Sequence, residues 1–344
     1  MYDGKRHAVM LDHQTKSGTA MRTITTAELF APVQRELAAV EARLHQAVQD
    51  QHSSLTTATE RLLNAGGKRI RPAICLMAAR IFDANPDHSI SLAAAVEMMH
   101  TATLVHDDLI DESALRRGVP TLNADWPADT IVLAGDYLFA RAASLIAQTN
   151  HPHLIELFAQ TLMIVVNGEI KQRFSGKGCI NRDDYYERIY AKTAAMFVLA
   201  TEAAATLGEA DQASLEALSE FGRQVGMAFQ IADDALDFIG TPDQTGKPVG
   251  NDLRQGLFTL PAIYYAEAHP DDADMKALLN GNAGDPGTIS RVIEAVRTSS
   301  AVNEALREAR AFVARGQHVL ERLPPSPYVA ALSAVSQYIV ARNL

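Results

Sequence analysis

Cysteine is nearly absent from the chain, with only Cys75 and Cys179 among 344 residues. Two thiols cannot build a disulfide framework, and neither sits in a Cys/His spacing that binds metal. A reducing, cytoplasmic compartment is therefore expected, with both thiols as small buried side chains. An excess of positive charge is also missing. Lys and Arg number 31 against 41 Asp and Glu, a net charge of −10, which argues against a broad nucleic-acid-binding surface. No stretch reads as membrane-spanning, because the most apolar run, Ile131 to Ala147, is broken by Asp136 and Arg141 and a span needs about 20 mostly apolar residues. The N-terminus lacks the apolar segment of a secretory signal. Residues 1–26 are expected to be a flexible tail, with Met21 an alternative start. No composition shift, Pro/Ser-rich linker or short-period repeat divides the remainder.

What is present is a globular balance of 47% hydrophobic and 21% charged residues, enough apolar mass for a sizeable core. Leu29, Val33, Leu37, Val40, Leu44 and Val48 recur at helical spacing and form one apolar face. Similar patterns run over roughly 72–82, 91–111, 130–148, 153–173, 183–207, 213–238, 257–269, 288–314 and 328–342. Gly- and Pro-containing breakers separate them, among them Gly66-Gly67, Asn85-Pro86, Gly118 to Pro120, Gly176 to Gly178 and Gly240 to Pro242. The expectation is one all-α domain over 27–344, a bundle of ten or more helices around a central cavity.

Two acidic pentads stand out. Residues 107–111 read Asp-Asp-Leu-Ile-Asp and residues 233–237 read Asp-Asp-Ala-Leu-Asp. Each puts carboxylates at i and i+4 on one helix face, where they repel unless a cation joins them. An exposed acidic face is the ordinary explanation for one such cluster. Here both pentads end strongly apolar runs, 93–105 and 225–232, so both fall at the rim of mostly buried helices, where carboxylates need a partner. An oxygen-only donor set of Asp107, Asp111, Asp233 and Asp237 suits Mg²⁺, which takes one or two carboxylates plus phosphate oxygens. Basic residues supply the complement. Lys68, Arg69 and Arg71 follow Gly66-Gly67 and lead into a helix with Pro72 in its first turn, a weak phosphate-site signal on its own. Arg116, Arg117, Lys192 and Lys247 are further candidates, so two diphosphates are accommodated: one through metal, one directly.

In order, Gly-Gly-Lys-x-x-Arg-Pro (66–72), Asp-Asp-x-x-Asp-x(4)-Arg-Arg-Gly (107–118), Lys192-Thr193 and Phe-Gln-x-x-Asp-Asp-x-x-Asp (229–237) resemble the trans-isoprenyl diphosphate synthases. Gly246 to Pro248, Asp252-Leu253 and Thr259 to Pro261 extend the match, which spans about 30–340. The resemblance implies several Mg²⁺ ions, three with substrate bound, on Asp107, Asp111 and Asp233, with Asp108, Asp234 and Asp237 in support. They would hold an allylic diphosphate and assist its C–O ionisation. It implies Lys192, Lys247 and Arg116 on that diphosphate, and Lys68, Arg71, His100 and Arg117 on isopentenyl diphosphate. Thr193 and Gln230 would present uncharged oxygens to the cation. His106 reads as structural or as a support behind the residues that meet the ligand, and Phe229 and Phe238 as core. A homodimer, through a long apolar helix such as 130–148, is also implied.

One turn deeper than Asp107 stand Ala102 and Thr103, where the family uses aromatic residues to stop growth at short products. Both are small here, and Met99 is the next obstacle. Phe139, Met163 and Val166 are candidates for a deeper floor. A long product of six to ten isoprene units is expected, with a geranylgeranyl diphosphate synthase as the second reading. A terpene cyclase would not need the second diphosphate site. A non-catalytic subunit of a heteromeric prenyltransferase would tolerate degraded pentads, and both are intact. A phosphohydrolase would release phosphate without consuming isopentenyl diphosphate.

Overall fold

The structure, a computed structural model, describes residues 9–10, 23–49, 53–64, 67–116, 119–174, 181–240, 248–281 and 286–341. Helix α1 (Thr26–Leu29) opens with a capping box in which Thr25 and Glu28 satisfy one another's backbone N–H groups. A 3₁₀ turn (Ala31–Val33) leads into α2 (Gln34–Ala47), followed by α3 (Ser53–Asn64), α4 (Ile70–Ile81) and α5 (Pro86–Ile110). A small hairpin pairs Leu115–Arg116 with Val119–Pro120. Next come α6 (Ala128–Ala147), α7 (Pro152–Phe174), α8 (Arg182–Ile189), a π turn (Tyr190–Ala194), α9 (Ala195–Leu207) and α10 (Gln212–Ile239). The chain closes with α11 (Asn251–Arg254), α12 (Leu260–Ala268), α13 (Ala273–Leu279), α14 (Pro286–Thr298), α15 (Ala301–Leu320) and α16 (Pro327–Ala341). The protein is all-α, as the periodicity indicates.

Two long helices form the centre. Asn85 caps α5 by accepting from the backbone N–H groups of Asp87 and His88, with Pro86 in the first helical position. Every residue from Ser91 to Met99 is buried, so this stretch is covered on all sides and lies inside the bundle, with Glu97 its one charged residue. It packs on α6, while α10 packs on α9 and α15. The polar C-terminal ends of α5 and α10 carry the two pentads out of that core.

Several boundaries differ from the sequence reading. Helix α3 goes unnoticed there, because its apolar stripe of Leu55, Ala58, Leu62 and Leu63 is set among Ser, Thr and Asn, which are weak helix formers. The pattern over 288–314 breaks at Ser299-Ser300, whose hydroxyls bond Val296 O and Glu304 and divert the backbone into a new helix start. Within the stretch expected as a tail, Val9–Met10 pairs antiparallel with Thr23–Ile24; Met21 lies outside the described residues, as does Cys179. Helix α6 is long and apolar enough by length and composition to cross a membrane, a test that the core helix of a bundle also passes, so no segment is a clear span. In the fold, one face of it (Ile131, Ala134, Leu138, Ala142, Leu145) is buried in the bundle.

Candidate active site

The first pentad ends α5, with Asp111 as the C-cap. Asp108 turns inward and receives Arg116 Nε at 2.9 and 3.0 Å on its two oxygens, with Nη2 also at 2.9 Å. Arg116, expected on a diphosphate, is thus committed to a buried carboxylate. Asp107 faces the other way. Burial pushes its pKa up to about 6, with Lys192 and Arg116 opposing and Glu169 and Asp111 reinforcing the rise.

The second pentad ends α10. Asp234 is buried and accepts from Tyr185 Oη at 2.7 Å and from Gln230 Nε2 at 2.8 Å. Burial and the nearby charge of Asp252 push its pKa up, against the pull of those two donors and Arg188. Asp237 accepts from the backbone N–H groups of Asn251 (3.0 Å) and Asp252 (3.1 Å). It therefore caps α11 and fixes Asp252, which enters the sequence reading only as an extension of the match.

Between the pentads sits the π turn that carries Lys192 and Thr193. A π turn inserts one residue into a helix and re-aims its side chains, which is why such turns gather at functional sites. Two glycines allow this one to be gripped. A Cβ on Gly168 of α7 would lie 2.5 Å from Ala191 Cβ, and one on Gly226 of α10 would lie 2.5 Å from Ala194 Cα. Lys192 Nζ lies 3.7 Å from Glu169 of α7. Burial works against its positive charge, but Glu169, Asp107, Asp111 and Asp252 together raise its pKa above the ordinary lysine value. Thr193 Oγ1 donates to Gln230 Oε1 at 2.5 Å. Glu169 was not singled out from sequence. Its only signal there is an acidic residue beside Gly168, just after the apolar run 162–166.

The basic set is divided. Arg69, in left-handed backbone geometry (φ 48°), pairs with Glu41 and with Glu97 (2.8 Å) and donates to Leu63 O. Its charge ties α2 and α5 to the start of α4, so it is not offered to a phosphate. Arg71 is buried, with its guanidinium 4.7 Å from the Phe197 ring centroid and 5.7 Å from that of Phe229. Lys68 Nζ lies 6.0 Å from the ring of Tyr338 on α16. His100 is half-buried on α5. Arg117 and Lys247, together with Gly66 and Gly118, lie outside the described residues. His106 packs on Gly135 and Phe139 of α6, with Nε2 3.2 Å from Val132 O, in keeping with a structural role.

Of the chain-length positions, Met99 and Ala102 are buried and Thr103 is half-buried, its hydroxyl returned to His100 O at 2.8 Å. Met163 and Val166 do not form a floor within this chain. The buried stripe of α7 is Leu154, Phe158, Thr161 and Val165, which leaves Met163 and Val166 on the opposite, exposed face.

Comparison with known proteins decides the family. The sequence model of the Polyprenyl synthetase family matches residues 52–296. The chain belongs to this family. It is 36% identical to heptaprenyl diphosphate synthase component 2 of Geobacillus stearothermophilus, covering 92% of this chain and 98% of that protein. It is also 36% identical to the all-trans-nonaprenyl-diphosphate synthase (geranyl-diphosphate specific) of Rhodobacter capsulatus, over 92% and 97% of the two chains. Its fold matches the polyprenyl synthase of Caulobacter crescentus CB15, crystallised with calcium and isoprenyl diphosphate. The TM-score is 0.86 at 34% identity, over 96% and 100% of the chains. As a polyprenyl synthetase family member, the chain has its polar clusters where two buried helices end, around one lysine.

Proposed function

We propose that this protein is a Mg²⁺-dependent trans-prenyltransferase that condenses isopentenyl diphosphate with an allylic diphosphate and releases a long all-trans polyprenyl diphosphate. The observation that carries the reading is Lys192, whose charge is supported at once by Asp107 and Asp111 of the first pentad and by Asp252, which Asp237 of the second pentad holds in place. That arrangement draws the two acidic motifs together around a cation, as binding of one diphosphate requires.

Asp107, Asp111 and Asp233 are the residues proposed to hold the metal, while Asp108 is paired with Arg116, Asp234 with Tyr185 and Gln230, and Asp237 with the start of α11. Among the described residues, no three acidic or imidazole groups gather closely enough to ligate one ion alone. That fits an ion whose shell is completed by diphosphate oxygens and water. When bound, such ions supply Lewis-acid stabilisation of charge on the departing diphosphate. Lys192 binds the same diphosphate directly. The lone pairs of Thr193 and Gln230 stabilise the allylic cation without capturing it, and the apolar walls of α5, α9 and α10 keep water from quenching it. Arg71 and Lys68 are the cations proposed for the second diphosphate.

A product of six to ten isoprene units is supported by the small side chains at Ala102 and Thr103 and by the names of the two relatives above. A four-unit product is the alternative. The homodimer is proposed on a separate observation. Leu133 of α6 and Met163, Val166, Ile170 and Phe174 of α7 are exposed, and a groove of about 380 Å³ runs beside Met163 and Val166. An apolar face of that kind on a soluble enzyme marks a subunit contact. The deciding experiment is incubation with isopentenyl and farnesyl diphosphates plus Mg²⁺, with products resolved by length. Elongation to six or more units supports the full proposal, and a stop at four moves the floor towards Met99. No elongation from farnesyl, geranyl or geranylgeranyl primers overturns it and favours a partner-dependent subunit, as in the two-component heptaprenyl relative.

A further inference from the structure

We infer that Tyr185 is a positioning residue for the prenyl-transfer site, acting through Asp234 and Gln230 to hold the Thr193 hydroxyl in one orientation. The inference rests on the functional reading above and adds a residue outside the motifs that suggested it. Tyr185 lies on α8 and is 1% exposed; its hydroxyl donates to Asp234 Oδ2 at 2.7 Å. Asp234, also buried, accepts at its other oxygen from Gln230 Nε2 at 2.8 Å. A carboxylate only accepts, so this contact sets the Gln230 amide: Nε2 faces Asp234 and Oε1 faces away. Oε1 then meets Thr193 Oγ1 at 2.5 Å, and since an amide oxygen also only accepts, the proton between them belongs to Thr193. Its hydroxyl hydrogen is thereby committed, and what the Thr193 oxygen offers elsewhere is lone pairs. A lone pair stabilises a carbocation, whereas an O–H pointing at it repels.

Tyr185 is itself held on two sides. The Arg188 guanidinium lies 5.4 Å from its ring centroid, and Tyr186 meets it edge-on at 5.6 Å. Tyr186 spends its own hydroxyl on Glu308 of α15, so neighbouring tyrosines have separate assignments. Removing the Tyr185 hydroxyl leaves a buried carboxylate oxygen with one donor fewer. Asp234 is then free to rotate, which releases the Gln230 amide to turn over and the Thr193 proton with it.

The test uses the full-length protein with isopentenyl and allylic diphosphates and compares Y185F, Q230A, Y185F/Q230A and Y186F. The expected result is a kcat about tenfold lower for Y185F, with KM for both substrates within about twofold of the parent. In the Q230A background, Y185F should cost almost nothing further, because the relay is already cut. Y186F should match the parent. An unchanged kcat for Y185F, or full additivity with Q230A, overturns the inference, as does a rise in KM with kcat unchanged. If Y185F does not fold, D234N is compared with D234N/Y185F, where no buried charge loses its donor. Equal kcat in the two supports the relay, and a further fall overturns it. A parent protein inactive on every primer fails the functional reading instead, which the variants cannot mimic.

Discussion

Arg116 grips both carboxylate oxygens of Asp108 from the hairpin that follows α5. This side-on, two-oxygen geometry is the strong form of an Arg–carboxylate pair, and it converts the middle aspartate of the first pentad from a metal ligand into an anchor. Asp108 is 6% exposed, so R116L leaves a buried charge without its partner. We expect a loss of about 1–3 kcal/mol in unfolding free energy. D108N/R116L should recover much of that loss, since the amide carries no charge to desolvate. Urea unfolding of the three proteins checks this. Equal stability of R116L and the double variant would show that the pair does not hold the hairpin.

Asp107 carries the pH dependence. Its folded pKa, about 6, lies above the ordinary 3.8, so between those values the folded protein binds a proton that the unfolded chain does not. The sign follows: this group destabilises the metal-free fold fully above pH 6, and the penalty fades as pH falls towards 4. D107N should therefore be more stable than the parent at pH 7.5 without metal, with the gap closing between about pH 6 and 4. Metal and diphosphate should reverse the order at pH 7.5 by stabilising the parent alone. Thermal unfolding across pH, with and without Mg²⁺ and diphosphate, reads both effects. A gap that stays constant with pH would remove the assignment.

Much of this was legible in the sequence for one reason: helix periodicity and i, i+4 carboxylates are local signals. The burial of 91–99 and the emergence of Asp107 at its end follow from a run of apolar residues stopping at an acidic one. What the sequence concealed is three-dimensional. Arg69 and Arg71 are two residues apart in one basic loop, yet Arg69 is consumed by Glu41 and Glu97 from two other helices, and only packing reveals that. The π turn at Lys192 has the composition of an ordinary helix. Tyr185 and Glu169 enter the site because α8 packs beside α10 and α7 packs on the π turn, and no local pattern announces it. Met163 and Val166 were misplaced because α7 is apolar on two faces, so hydrophobicity alone could not say which one looks inward.

Chain length separates two adjacent small residues. Thr103 is half-buried one helical turn, about 5.4 Å, from Asp107, whereas Ala102 is fully buried. T103F should fold normally and shorten the product to about three or four units, since one turn of helix roughly equals one isoprene unit. A102F should instead cost at least about 1–3 kcal/mol through overpacking. Product chromatography for the first and thermal unfolding for the second test the division. A T103F enzyme that still makes the parent product would place the floor elsewhere and separate this position from the growing chain.

The last prediction concerns the grip on the π turn. A Cβ on Gly226 would stand 2.5 Å from Ala194 Cα and 2.8 Å from Ala194 Cβ. The first of these is backbone and has no rotamer by which to retreat, so G226A must push the turn away from α10 or break it. Thr193 is the residue before Ala194, and its hydroxyl reaches Gln230 on that same helix at 2.5 Å. A shift of even half an ångström parts them. We therefore expect G226A to lose about 1–3 kcal/mol of stability and to lower kcat by more than tenfold at temperatures where the protein remains folded. A position away from the turn offers no such route: A210S, half-buried in the loop before α10, should leave kcat unchanged. If G226A retains parental kcat while losing stability, the turn tolerates displacement, and the close approach of α10 serves packing alone.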